Sequence, residues 1–302
     1  MKKTLITRRV AILAAASLSF LAACGGSSSD TSNAADTTVA ASPGNGKKIL
    51  SLSPTATEML YAIGAGDQVV AVDSLSNYPA EASDKVTKIS AFEPNAEAIL
   101  AYNPDIVLIS NDMNKITEQL KTANPAITVW TGAMAGTLDD VYAQITDLGT
   151  VTGHDSEAAA LVTKMKADIA SATDGVTAPE GASYYYELDN TYYSLTSNTF
   201  VGSLLKSTGI ANIADGVQAG NDWPQLNAES IIKSNPSVIF LADTKCCQQD
   251  AKAVSARAGW NGIDAVKNAR VVALDDDIAS RWGPRIVDLV KQMVAAVASL
   301  AK

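Results

Sequence analysis

The chain has 302 residues, 47% of them apolar and 18% charged, with 32 acidic against 23 basic side chains and a net charge of −9 at pH 7. An acidic balance with no basic run in the body speaks against nucleic acid as a partner, because binding phosphates needs a basic face. One histidine and three cysteines speak against a zinc or manganese centre built by the protein, which needs several ligands converging on one point.

Lys2, Lys3, Arg8 and Arg9 precede an apolar run from Val10 to Leu21. That is the layout of a secretory signal, and it is short for a membrane span, so residues 1–23 are read as a signal peptide. Its removal takes four basic residues and shifts the charge from −9 to −13. Leu21-Ala22-Ala23-Cys24-Gly25 resembles a bacterial lipobox, which makes Cys24 the expected lipidation site and new first residue. Residues 24–47 are rich in Gly, Ser, Thr and Ala with no apolar period, the composition of a flexible tether. The expected place is extracytoplasmic, lipid-anchored at the cell membrane. Lipidation leaves the adjacent pair Cys246-Cys247, which outside the cytoplasm could close a vicinal disulfide or remain two thiols.

From Lys48 onward strand-like and helix-like segments alternate. Ile49 to Leu52 reads as a strand, Ser53-Pro54 as an N-cap with proline at the first helical position, and Thr57 to Ile63 as helix stopped at Gly64. Val69 to Val72 is the next strand; a helix near Lys115 to Thr122, the break Asn124-Pro125 and a strand Ala126 to Trp130 follow. Leu138 to Thr150 and Ser156 to Ala172 form the longest helical pattern without a strand, broken at Gly153-His154-Asp155. A second run opens with the strand Ser183 to Leu188, includes the strand Val271 to Leu274, and ends with the helix Pro284 to Leu300.

Asn95 to Ile109 returns 132 residues later as Asn227 to Leu241: an Asn cap, Glu97 or Glu229 in the first helical turn, an Asn-Pro break, and an apolar strand. Capping and dipole compensation explain each Asn and Glu singly. Recurrence of the whole unit in register points to two similar lobes with a cleft between them. The fold class is α/β, with an N-terminal lobe at 48–153, a bridging helix at 154–175 and a C-terminal lobe at 176–302.

Leu50-Ser51-Leu52-Ser53-Pro54 with Glu58, then Gly64-Ala65-Gly66, Tyr78-Pro79, the two Asn-x-Glu helices, Trp223-Pro224-Gln225 and Gly283-Pro284-Arg285 resemble the substrate-binding proteins of ABC importers for vitamin B12 and iron-siderophores. The likeness covers Lys48 to Lys302. It implies two Rossmann-like lobes with parallel sheets joined by one long interlobe helix, a shallow cleft and little hinge closure. It also implies an ABC permease and its ATPase subunits as partners, with Glu97 and Glu229 docking onto the permease. The departure at Lys245-Cys246-Cys247 leaves the family's contacts in that loop without a counterpart here.

Ligand contacts are expected from loops at the carboxyl ends of the strands. The candidates are Phe92, Asn111, Trp130, Tyr193, Trp223, Arg281 and Trp282: aromatics offer rigid apolar area, and Arg281 offers a fork of donors. Trp260 is read as core, from its spacing with Ile263 and Val266. With Lys245 the only other basic side chain placed near the cleft, a corrinoid or a weakly charged siderophore chelate fits better than a polyanion. No cofactor is expected. The competing class is a serine hydrolase using Ser203-x-x-Lys206, but no Ser-Asp-Asn or Lys-Thr-Gly follows, and a triad would have to draw on His154 in the interlobe region.

Overall fold

The computed structural model describes residues 46–301. The signal segment, Cys24 and most of the tether lie outside the described residues. In chain order the N-terminal half runs β1 (Ile49–Leu52), α1 (Pro54–Ala62), β2 (Val69–Val72), α2 (Ala96–Leu100), β3 (Ile106–Ile109), α3 (Ile116–Ala123) and β4 (Thr128–Thr131). Two helices follow, α4 (Leu138–Thr152) and α5 (Asp155–Thr173). The second half runs β5 (Ser183–Glu187), α6 (Phe200–Ser203), β6 (Ala211–Asn212), α7 (Ala228–Ser234), β7 (Val238–Leu241), α8 (Ala251–Ser255), α9 (Asp264–Lys267), β8 (Val271–Ala273), α10 (Asp276–Ala279) and α11 (Ile286–Ala298).

The halves carry parallel sheets of the same connectivity, β2-β1-β3-β4 and β6-β5-β7-β8. The sequence repeat is visible in the pairing register: Leu52 lies opposite Ile109, and Glu187 lies opposite Leu241, the same rung, with β7 following β3 by 132 residues. β1, β3 and β7 are buried at every residue, as strands covered on both faces must be. Asn95 and Asn227 cap α2 and α7 through side-chain oxygens that accept from Ala98 N and Ser230 N.

α4 starts with a capping box between Thr137 and Asp140, and the hydroxyl and amides of the Thr137 turn hold the Asp140 carboxyl below the usual carboxylate range. α5 packs against α4 and α11, and Lys291 reaches Asp168 at 3.5 Å. Among the described residues no helix is long and apolar enough to cross a membrane.

Boundaries differ from expectation at two informative places. β4 starts at Thr128, because Ala126 N and Ile127 N both turn back to Asn124 at 3.1 Å and hold that segment as a turn. α11 starts at Ile286, because Arg285 N donates across the molecule to Glu58 Oε1 at 2.8 Å.

Each half has a private apolar cluster, around Val107 and Ile116 in the first and around Ile239 and Trp260 in the second. A third cluster joins them: Leu60, Ile106 and Ile145 belong to the same continuous core as Tyr184, Phe240 and Val290.

Candidate functional site

The short helix α10 aims one segment at the opposite lobe. Asp275 caps it, accepting from Asp277 N at 2.9 Å, and the chain leaves α10 as Ser280-Arg281-Trp282. The Arg281 guanidinium donates to Asn77 Oδ1 at 2.8 Å, to the Leu75 carbonyl at 3.2 Å and to Asp277 Oδ1 at 2.9 Å. Asn77 in turn donates to Asp277 Oδ2 at 3.1 Å. Trp282 Nε1 donates to Gln144 Oε1 at 3.0 Å. The segment is thus tied to residues 75–77 of the N-terminal lobe and to α4.

Two cavities flank this segment, and Ser280, Arg281 and Trp282 line both. One, about 380 Å³, is walled by Leu52, Thr55, Asp73, Phe92, Asn111 and Met113 from the N-terminal lobe. The other, about 330 Å³, is walled by Met134, Leu195, Phe200, Val201, Asp222 and Trp223. The sequence-derived residues Phe92, Asn111, Trp223, Arg281 and Trp282 therefore come together around one cleft. Phe92 and Trp223 are 64% and 47% exposed, large apolar faces uncovered on opposite walls.

The charge of the cleft is acidic. Its lining carries Asp73, Asp222 and Asp277 against the single cation Arg281. Partial burial works against ionisation of Asp277, but hydrogen bonds from Lys245 and Asn77 and the charges of Arg281 and Lys245 hold its carboxyl below the usual range. Burial pushes the Asp73 carboxyl up, opposed by hydrogen bonds from Ser76. Lys245 is bound at 2.8 Å to Asp275 and at 2.7 Å to Asp277, so its charge is spent on α10.

Other expected site residues are placed elsewhere. Trp130 is only 7% exposed, lines neither cavity, and donates through Nε1 to Asp147 Oδ2 at 2.6 Å. It is a core residue, and a Cβ at Gly132 would sit 2.5 Å from its ring. Tyr193 is 42% exposed but also lines neither cavity; it pairs with Gln225 in an antiparallel bridge. Its neighbour Tyr192, with φ at +72°, turns inward and stacks on the fully buried Trp260 with ring centroids 5.7 Å apart.

Cys246 and Cys247 are free thiols, not a disulfide. The amides of Thr244, Lys245 and Cys246 converge on the Asp276 carboxylate, which sets the loop's course by hydrogen bonds and leaves both sulfurs unjoined. Burial and the adjacent Cys247 push the Cys246 thiol up to about 12. Ser203 donates to the Phe200 carbonyl at 2.6 Å and Lys206 is exposed, so the Ser-x-x-Lys spacing is ordinary helix-end geometry. His154 is buried, its Nδ1 3.2 Å from the Thr152 carbonyl and hydroxyl.

The sequence reading assigned no role to the interlobe pair Glu58 and Arg285, although both stood in the quoted motifs. Arg285 Nε donates to the buried Glu58 Oε2 at 2.8 Å, and its guanidinium lies 3.7 Å from the centre of the Tyr78 ring. Gly283 is required beside them, since a Cβ there would meet Glu58 Oε1 at 2.8 Å. A larger cavity of about 790 Å³ opens next to this pair. It is lined by Tyr61, Tyr78, Glu81, Lys85 and Asp288 and shares no residue with the two cavities around Arg281. Among the described residues no group of three or more His, Cys, Asp or Glu could hold a metal ion.

A periodic pattern of this kind has known counterparts. The family model described as periplasmic binding protein matches residues 49–278. The uncharacterized ABC transporter substrate-binding lipoprotein YvrC of Bacillus subtilis is 34% identical over 275 residues, covering 89% of this chain and 84% of that protein. A cobalamin-binding protein of Halobacterium salinarum is 30% identical over 259 residues, 83% of this chain and 69% of the relative. The crystal structure of the periplasmic vitamin B12 binding protein of Vibrio cholerae superposes with a TM-score of 0.69 at 27% identity, covering 86% of this chain and 99% of that one. The doubled parallel-sheet lobes, the cleft between them and these matches agree: the chain belongs to the periplasmic binding protein family, the solute-binding components of ABC importers, and is not an enzyme.

Proposed function

We propose that this chain is an extracytoplasmic lipoprotein that captures a corrinoid, or failing that a weakly charged ferric-siderophore chelate, and delivers it to the permease and ATPase subunits of an ABC importer. The observation that carries the choice of ligand is the cleft's charge, three carboxylates against one guanidinium that is already paired with Asp277. A polyanionic catecholate or a carboxylate-bearing haem would meet like charge there, whereas a neutral or cationic chelate would not. The exposed faces of Phe92 and Trp223 offer the flat apolar area that a corrin ring needs. Names of relatives point the same way, two of them being cobalamin or vitamin B12 binders.

In this reading Phe92, Asn111, Trp223, Arg281 and Trp282 touch the ligand, and Tyr193 stands outside the contact set. Glu97 and Glu229, exposed in the first turns of α2 and α7, present matched carboxylates on the two lobes for basic residues of the permease. Such charges orient the encounter and speed it more than they tighten it. Cys24 carries the lipid that keeps the protein beside its transporter.

Native mass spectrometry of the full chain against cyanocobalamin, haem, a ferric hydroxamate and a ferric catecholate tests the ligand. A one-to-one corrinoid complex, with quenching of Trp223 fluorescence, is the expected result. A complex with haem or catecholate alone would overturn it.

A further inference from the structure

Asp73 follows β2 and is fully buried. Its Oδ1 accepts from Ser76 Oγ at 2.5 Å, whereas its Oδ2 meets no hydrogen-bond partner. Buried polar atoms are almost always paired, so an orphan in a native fold asks for a reason. Among the described residues two carboxyl groups carry such atoms, Asp73 and Asp243. Asp243 lines neither cleft cavity; Asp73 lines the 380 Å³ one.

The charge of Arg281 favours the ionised Asp73 carboxyl, but its guanidinium is not hydrogen-bonded to it. Arg281 donates instead to Asn77, to the Leu75 carbonyl and to Asp277. Leu75 and Asn77 belong to the segment that immediately follows Asp73, so Arg281 is fastened to the chain beside the orphan oxygen. Asp73 and Arg281 line the same 380 Å³ cavity, the one walled by Phe92 and Asn111.

We propose that Asp73 Oδ2 is a specificity-determining acceptor for an N–H of the ligand, so that the cleft selects a chelate presenting a carboxamide arm at this point over one presenting a carboxylate. The proposal rests on the corrinoid reading above and deepens it. A primary amide satisfies the orphan acceptor, while a carboxylate would bring a like charge against Asp73 in a lining that already holds three carboxylates to one guanidinium. The corrin periphery carries primary carboxamides; the haem periphery carries carboxylates. Burial also raises the cost of ionising Asp73, which a bound N–H would offset.

The test is isothermal titration of the full chain with cyanocobalamin and with its monocarboxylic acids, each having one peripheral amide hydrolysed. Wild type should bind at least one monoacid tenfold or more weakly than the parent, at an ionic strength where general charge effects are screened. Asp73→Asn keeps the acceptor for Ser76 and adds a donor; it should fold, and it should cut that discrimination below threefold. Asp243→Asn, the orphan away from the cleft, should leave it unchanged. Discrimination that survives in D73N, or that D243N removes equally, overturns the role of Asp73 and leaves the corrinoid reading standing. Absence of parent binding by wild type would overturn both. Should D73N fail to fold, equal affinity of wild type for the parent and every monoacid overturns the proposal by itself.

Discussion

In the N-terminal lobe the carboxyl ends of β1 and β3 lead to Leu52 and Asn111; at the same rung and offset in the C-terminal lobe stand Glu187 and Asp243. The first pair lines an open cavity. The second is closed off: Arg257 grips Glu187 with two hydrogen bonds of 2.5 and 2.6 Å, donates to Gln249, and lies over the rings of Trp260 and Tyr192. The repeated backbone provides two equivalent crevices, and side-chain chemistry decides which one is open and which is sealed by an internal ion pair.

The comparison breaks most easily at the seal. Arg257→Ala leaves a buried Glu187 without its partner, next to a second acid, and should cost about 3–5 kcal/mol of unfolding free energy in urea. Substituting Leu52, the residue at the matching rung, by Ala should cost about 2–5 kcal/mol through lost packing, with no change in pH dependence. A loss for Arg257→Ala no larger than that of an exposed charge would show that the pair does not seal the lobe.

The sealed crevice should also respond to pH. Burial and the charge of Glu187 push the Asp243 carboxyl up from 3.8 to about 7. Between those values the folded chain holds a proton that the unfolded chain has released, so this group's contribution to stability is present at low pH and is lost as pH rises toward 7. Asp243→Asn should flatten that decline in melting temperature between pH 4 and 7 and leave ligand affinity as it was.

Asn111→Ala probes the open crevice and should weaken ligand binding by about 0.5–1.5 kcal/mol, the worth of one hydrogen bond, with little effect on melting. The smallest effects on stability belong to Glu97→Gln and Glu229→Gln, which forgo about 0.3–1 kcal/mol each of helix-dipole stabilisation. Either change should lower transport in cells or association with the permease while ligand affinity in solution stays constant; unequal losses would show that the two lobes dock differently.

The repeat made the fold legible before any coordinates, because Asn caps, apolar strands and their spacing are local properties that the sheets inherit directly. The cleft was legible in part. Asn111 follows β3, Arg281 and Trp282 follow α10, and Phe92 and Trp223 lead into the two repeated helices, positions that the topology carries to the crevice. Trp130 ends a strand too, yet Asp147 on α4 reaches its indole and Gly132 makes room for the ring, a long-range pairing that strand-end position cannot reveal. Asp73 gave no signal at all, since an acid after a strand is commonplace until its surroundings show that nothing pairs one of its oxygens. Glu58 and Arg285 were conspicuous as residue types, but 227 positions separate them and only the folded chain brings them together.

The interior shared by both halves, running from Leu60 and Ile106 to Phe240 and Val290, has a kinetic consequence. Shearing one half past the other would open apolar seams along its whole length, so wholesale jaw motion on the microsecond-to-millisecond scale is an expensive route to loading. A carrier with such an interior is expected to load by small side-chain adjustments around Ser280–Trp282 rather than by closing like a jaw.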